Sequence, residues 1–368
     1  MIFDTDAHVE ECPETFALLT GKEEWKKAAP RIHDGATRAY WIIEGKVFPK
    51  QVGRGVFTFG TPHASAKGST VDPARKTTLD SQVLSDPKAR LLDMDKEGID
   101  ISVVFPTLFL TYPLAEDPRL SALLCHSYSE WVAERCRQTK GRIRWVAPVP
   151  LPDVEAAVEE VERAKSLGAC GILTLGTAGE MNLDDPRLDP FYARLEEAGL
   201  PLCVHVGWSY PPLTNLYTNI YRSQSCAFLV PIFMAFVSLI GGGVLDRFPR
   251  LTVGFFEAGV EWIPFWVDRL ERLRKQPPGG TTKKDLPDRE PLEYIASGRV
   301  YFSCELDEKR ISMVTEAIGD DCILYASDLP HAHRVFSAVE LFTRRTDIPE
   351  ATKKKILGDN GARFYGAA

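Results

Sequence analysis

The sequence predicts a (β/α)8 barrel with an inserted segment over one end. Three observations predict it. Eight short runs rich in β-branched and aromatic residues recur along the 368 residues. Stretches of helical periodicity separate them, and glycines stand where a helix has to stop before the next run begins. Apolar residues make up 44% and charged residues 26%, enough to cover one large core and too apolar for a disordered chain.

The expected strands are Ile2–Thr5, Ile101–Phe105, Arg144–Pro148, Gly171–Leu175, Leu202–Val206, Thr252–Phe256, Val300–Ser303 and Ile323–Ala326. Between them, apolar residues at i, i+3 and i+4 predict helices over Asp86–Glu97, Pro118–Arg137, Val154–Leu167 and Asp189–Ala198. Gly98, Gly168 and Gly199 punctuate the helix ends. The stretch 10–80 is too long for a βα connection and contains an expected hairpin, Tyr40–Phe48 turning at Glu44-Gly45. It is read as a cap folded over the barrel mouth. Gln276–Lys284 is a surface loop by composition, and no repeat or interdomain linker interrupts the chain, so residues 1–368 are read as one domain.

Lys and Arg number 44 against 51 Asp and Glu, a net charge of 44 − 51 = −7, and no basic run interleaves with aromatics, which argues against a nucleic-acid partner. None of the eight cysteines forms a CxxC pair, which fits free thiols in a reducing compartment. The start, MIFDTDAHVEE, has no basic n-region, so the expected location is the cytoplasm. The stretch 226–245, CAFLVPIFMAFVSLIGGGVL, carries no charge and has the length of a membrane span. Pro231 and Gly241 to Gly243 break it, and it has no second copy, so a buried helix and a homodimer contact are the preferred reading.

Catalytic groups of a parallel barrel sit where the strands end. Strand one ends in Asp6 and His8, strand five in His205, strand six in Glu257 and strand eight in Asp328. Imidazole and carboxylate donors from separate strands suit a single divalent cation, Zn2+ ahead of Mn2+. Each residue also has a plain structural reading: a turn cap for Asp6, an Asx turn before Leu329-Pro330 for Asp328, a core histidine for His205, and an ion pair with Arg222 or Arg269 for Glu257.

The segments DTDAHVEE, HVGW, DRFPRLTVGFFEAGVEWIPF and YASDLPH, which span almost the whole chain, carry a further reading. Together they make the chain resemble the amidohydrolase superfamily, in the branch that holds aminocarboxymuconate-semialdehyde decarboxylase and the γ-resorcylate-type aromatic acid decarboxylases. The resemblance implies metal ligands at Asp6, His8, His205 and Asp328, with Asp6 standing where relatives carry His or Glu. Many relatives have histidine where this chain has Glu257. Leu173-Thr174-Leu175 offers no lysine at the end of strand four, so a mononuclear centre is implied.

The chemistry implied is non-oxidative decarboxylation of an aromatic or conjugated unsaturated carboxylic acid. Asp328 is the candidate proton donor to carbon, with Glu257 and His331 assisting. An anionic substrate calls for a cationic clamp, for which Arg54, Arg222 and Arg334 are candidates, and Trp208 could stack on a ring, as could Tyr210 and Trp41. The alternative is a hydrolase, lactonase or hydratase using the same site, and a barrel that binds without turnover is the non-enzymatic reading.

Overall fold

A computed structural model describes residues 1–34, 39–48 and 71–366. Arg54 and His63, and with them the part of the expected cap between 49 and 70, lie outside the described residues. Strands are numbered in chain order: β1 (Phe3–Val9), β2 (Arg31–Asp34), β3 (Ala39–Ile43), β4 (Lys46–Phe48), β5 (Ile101–Pro106), β6 (Ile143–Pro148), β7 (Gly171–Leu175), β8 (Leu202–His205), β9 (Val253–Phe256), β10 (Val300–Cys304) and β11 (Ile323–Tyr325). Eight of them form one sheet in the order β1-β5-β6-β7-β8-β9-β10-β11, and each neighbouring pair is parallel. Closure runs back to β1. The N–H groups of Ser327 and Asp328 donate to Asp6 O at 3.1 and 3.0 Å, and His8 N–H donates to Leu329 O at 2.7 Å.

The expected helices form for the expected reasons. Asp86, Asp117 and Asp153 accept hydrogen bonds from the first-turn amides of Pro87–Glu97, Pro118–Arg137 and Val154–Leu167. Gly98 and Gly168 end two of these helices in the left-handed region, and Gly199 ends Asp189–Ala198 in the same way. The hairpin expected at Tyr40–Phe48 is the β3–β4 pair. Glu44 and Gly45 both have positive φ, 52° and 73°, which matches the twist a two-residue hairpin turn requires. Trp41 on β3 is buried edge-to-face against Phe16, so it packs the cap rather than offering a ring to a substrate.

Strand β1 runs four residues further than its composition suggested, to Val9. Its register with β5 slips between Asp4 and Ala7, so two residues oppose one on the partner. Such a bulge re-aims side chains. Asp4 meets Ser102 and Ser327, whereas Asp6 meets the histidines at the barrel mouth. The opposite end is stoppered by the C-terminal helix Asn360–Phe364, whose Phe364 ring packs on Phe256 and Tyr301. Gly254 is needed there, because a Cβ would come within 2.7 Å of the Phe364 ring.

Among the described residues one helix, Ile220–Gly241, is long and apolar enough to cross a membrane. Half of its most apolar window is buried inside the fold, with Ala227, Ile232, Ala235 and Phe236 fully enclosed. All eight cysteines are free.

Candidate metal centre

Strand ends bring together Asp6 and His8 from β1, His205 from β8, Glu257 after β9, and Asp328 and His331 after β11. One donor atom each from Asp6, His8, His205 and Glu257 lie within 4.8 Å of one another, and the same holds for His8, Glu257, Asp328 and His331. His205 Nε2 stands 3.4 Å from Asp6 Oδ2 and 3.3 Å from Glu257 Oε2. His8 Nε2 stands 3.6 Å from Asp6 Oδ1, 3.5 Å from Glu257 Oε2 and 3.6 Å from Asp328 Oδ1. Three of the four ligands expected from sequence, Asp6, His8 and His205, therefore meet together with Glu257, and Asp328 stands in an overlapping group that shares His8 and Glu257 and adds His331. The arginine partner that sequence offered as the plain reading of Glu257 is not found among the described residues.

Four of these atoms, Asp6 Oδ1, His8 Nε2, His205 Nε2 and Glu257 Oε2, are buried with no hydrogen-bond partner among the described residues. A buried polar atom left unpaired costs on the order of 1–3 kcal/mol, and four gathered in one place point to a ligand. A divalent cation is the kind of group that fits such donors. His205 is already oriented for it: Nδ1 faces Val206 O at 3.0 Å, which leaves the Nε2 lone pair for a ligand.

The ionisation states follow from burial. Burial, then the neighbouring His331, pushes His8 down to about 3, so this ring is a neutral ligand. Burial also opposes charge on His205, but Asp6 and Glu257 outweigh it and hold this ring up to about 9. The two rings shift in opposite directions because His205 faces two carboxylates at contact distance, while His8 is stacked on His331 at 4.2 Å. Burial, then Glu257, holds the Asp328 carboxyl well above the usual carboxylate range.

Backbone strain marks the same two acids. Glu257 and Asp328 take φ values of 59° and 54°, a left-handed conformation uncommon for residues with a side chain. Ser303 Oγ accepts from Glu257 N–H at 2.9 Å, and the Asp6 carbonyl accepts from Asp328 N–H, so both turns are held from neighbouring strands.

His331, expected from sequence to assist Asp328, stands against it, while the groups that hold these residues in place are not apparent from sequence. His331 Nδ1 is 2.5 Å from Asp328 Oδ1, and its Nε2 meets Thr107 Oγ1 at 3.2 Å and Glu10 Oε1 at 3.9 Å. Arg75 pairs with Glu10. Arg90, fully buried, donates to His8 O at 2.9 Å from behind β1. Of these, only Glu10 left a trace, continuing the alternation Asp6, His8, Glu10 along one strand.

The expected substrate groups fare unequally. Arg334 is buried and lines a cavity of about 240 Å3 shared with Asp6, Glu257 and Asp328; its NH1 pairs with Glu97 at 2.8 Å, and its Nε has no acceptor. Arg222 is exposed and donates to Thr218 Oγ1, and no described contact links it to the donor cluster. Trp208 is buried, with Nε1 donating to Ser223 Oγ at 3.1 Å and its ring on Phe228, which ties it to the long apolar helix.

The family model for amidohydrolases matches residues 6–367. The chain belongs to the amidohydrolase family. Within this family, 2-amino-3-carboxymuconate-6-semialdehyde decarboxylase of Dictyostelium discoideum is 25% identical, covering 76% of this chain and 77% of that protein. Gamma-resorcylate decarboxylase of a Rhizobium strain is 26% identical, covering 78% and 89%. A 2-keto-4-carboxy-3-hexenedioate hydratase of Sphingobium is 21% identical over 82% and 89%. The 5-carboxyvanillate decarboxylase of Novosphingobium aromaticivorans, solved with bound manganese, shares the fold at a TM-score of 0.72 and 18% identity, covering 100% of this amidohydrolase and 97% of that chain.

Proposed function

We propose that this amidohydrolase is a metal-dependent non-oxidative decarboxylase of an aromatic or conjugated unsaturated carboxylic acid. One observation carries the reading. A buried carboxyl, Asp328, with its pKa well above the usual range, sits against His331 at the edge of a cluster of unpartnered metal-type donors. A carboxyl whose burial and acidic neighbours make it hold its proton more tightly than usual is suited to protonating carbon. The relatives named as decarboxylases support the same chemistry.

We assign Asp6, His8, His205 and Asp328 as metal ligands and Glu257 as an additional donor. A cation held by these residues would supply a Lewis acid for the substrate's carboxylate side and would draw off charge. Asp328 delivers its proton to the carbon that bears the carboxylate. The bond to that carboxylate breaks, its electron pair restores the conjugated system, and the carboxylate leaves as CO2. His331 orients Asp328 and is itself held by Thr107 and Glu10. Arg334 is assigned to the substrate's anionic side through its free Nε–H. Sequence placed Zn2+ first; the third carboxylate makes the donor set oxygen-rich, which moves the preference towards Mn2+.

The domain division proposed is a single barrel with residues 10–80 as the cap. We place the protein in the cytoplasm as a homodimer, joined through the partly open side of Ile220–Gly241, where Leu229, Phe233 and Val237 are only partly buried. The test of the reaction is incubation of the metal-loaded protein with 2,6-dihydroxybenzoate and related acids in deuterated, 18O-labelled water. The expected outcome is CO2 release with one deuterium on carbon. Solvent oxygen incorporated into product, without CO2, would establish the hydratase or hydrolase reading instead.

A further inference from the structure

The cavity beside the donor cluster has an unbalanced wall. Besides Asp6, Glu257 and Asp328 it is lined by Glu305, just past the end of β10, and the guanidinium of Arg334 is committed at NH1 to Glu97. Glu305 contributes its backbone to a turn, its N–H donating to Glu308 Oε1 at 2.8 Å. Its side chain has no ion-pair partner among the described residues. Burial, then the charges of Glu257, Glu308, Asp307 and Asp328, push its carboxyl up to about 7, so it stands in a field that is already negative. Four carboxylates, those of Asp6, Glu257, Glu305 and Asp328, thus line this cavity against one arginine, Arg334, and His333.

We infer that Glu305 is a specificity-determining residue, restricting the protein to substrates with a single carboxylate and a hydroxyl or other neutral group facing this wall. A hydroxyl can donate to Glu305. Glu305 is itself solvent-exposed, and a second carboxylate brings like charge to a wall that already carries Glu257, Glu305 and Asp328, which weighs against that ligand. The inference rests on the carboxylic-acid reading of the site. It also separates this chain from relatives whose names carry a carboxy substituent, the carboxymuconate-semialdehyde and carboxyvanillate decarboxylases.

Calorimetric titration of the full-length, Mn2+-loaded protein at pH 8, where Glu305 is ionised, tests it. The probes are 2-hydroxybenzoate and the same ring with a second carboxylate at position 4 or 5. The monocarboxylate is expected to bind at least about 10-fold more tightly to the wild type. Glu305→Gln is expected to tighten both dicarboxylates by about 10-fold and to change the monocarboxylate by less than about 3-fold. Equal affinities in the wild type, or a gap that Glu305→Gln leaves untouched, overturn the inference. A CO2 assay on the same samples is read separately. An affinity gap without CO2 release sinks the decarboxylase reading and leaves the role of Glu305 standing, whereas equal kcat/KM for mono- and dicarboxylates does the reverse.

Discussion

Asp328 and His205 face the same cluster and are asked for different things. His205, held up to about 9 by Asp6 and Glu257, carries a proton wherever no cation displaces it. Metal binding therefore expels a proton, and apparent affinity is expected to rise about 10-fold per pH unit up to about pH 9, as metal-buffered titrations from pH 6 to 9 will show. His205→Ala removes a ligand; metal content by plasma mass spectrometry is expected to fall below about 0.1 per chain, with activity lost by about 1,000-fold or more. Asp328→Asn should retain much of the metal yet lose about 1,000-fold in kcat, because the amide keeps an oxygen donor and has no acidic proton to give. Retention of wild-type kcat by that variant would remove Asp328 as the acid.

At the scale of elements, the seam between β1 and β11 decides where these side chains stand. Asp4 accepts from Ser102 Oγ and Ser327 Oγ, each at 2.7 Å, and from Ser327 N–H at 2.9 Å, clamping the strand before the Asp328 turn. Asp4→Ala strands these buried donors and is expected to cost about 2–4 kcal/mol of stability in denaturant unfolding, with kcat falling because Asp328 loses its support. Asp4→Asn keeps an acceptor and should lie between that variant and the wild type. None of this seam is legible in the alternation of residues. Asp4 and Asp6 look equivalent in DTDAH, and only the register slip against β5 sends them to different partners. Elements whose signals are local were legible almost to the residue. Pro118–Arg137 and Val154–Leu167 are announced by their periodicity and an aspartate cap, and Asp189–Ala198 by its periodicity and the Gly199 stop. The hairpin turn at Glu44-Gly45 announces itself in the same way.

For the whole molecule, the donor cluster links folding to metal. Removing the cation with chelator leaves carboxylates and imidazoles buried without partners, so the melting temperature is expected to fall by several degrees and to recover with Mn2+ or Zn2+; saturation at about 100 Kd is worth about 2.7 kcal/mol. The sign of the pH dependence follows from His205. Its folded pKa of about 9 lies above the ordinary 6.5, so the stability it lends the metal-free protein is complete below about pH 6.5 and is lost as pH rises through about 9. Scanning calorimetry should show the gap between metal-loaded and metal-free protein widening over that interval.

The sequence by itself determined the alternation of strand and helix, the stops between them, and which side chains stand at strand ends. Those signals act over a few residues, and the parallel barrel's rule that function gathers where strands end converts them into candidates. Tertiary structure alone decided that donors 2 to more than 300 residues apart meet in two overlapping groups, and that Glu257 belongs to both rather than to an arginine. It alone decided that Arg222 and Trp208 are engaged elsewhere and that Asp4 clamps Ser327, next to Asp328. The physical reason is that distance through space is set by barrel closure, register and burial, and none of these is written in any short stretch of the chain.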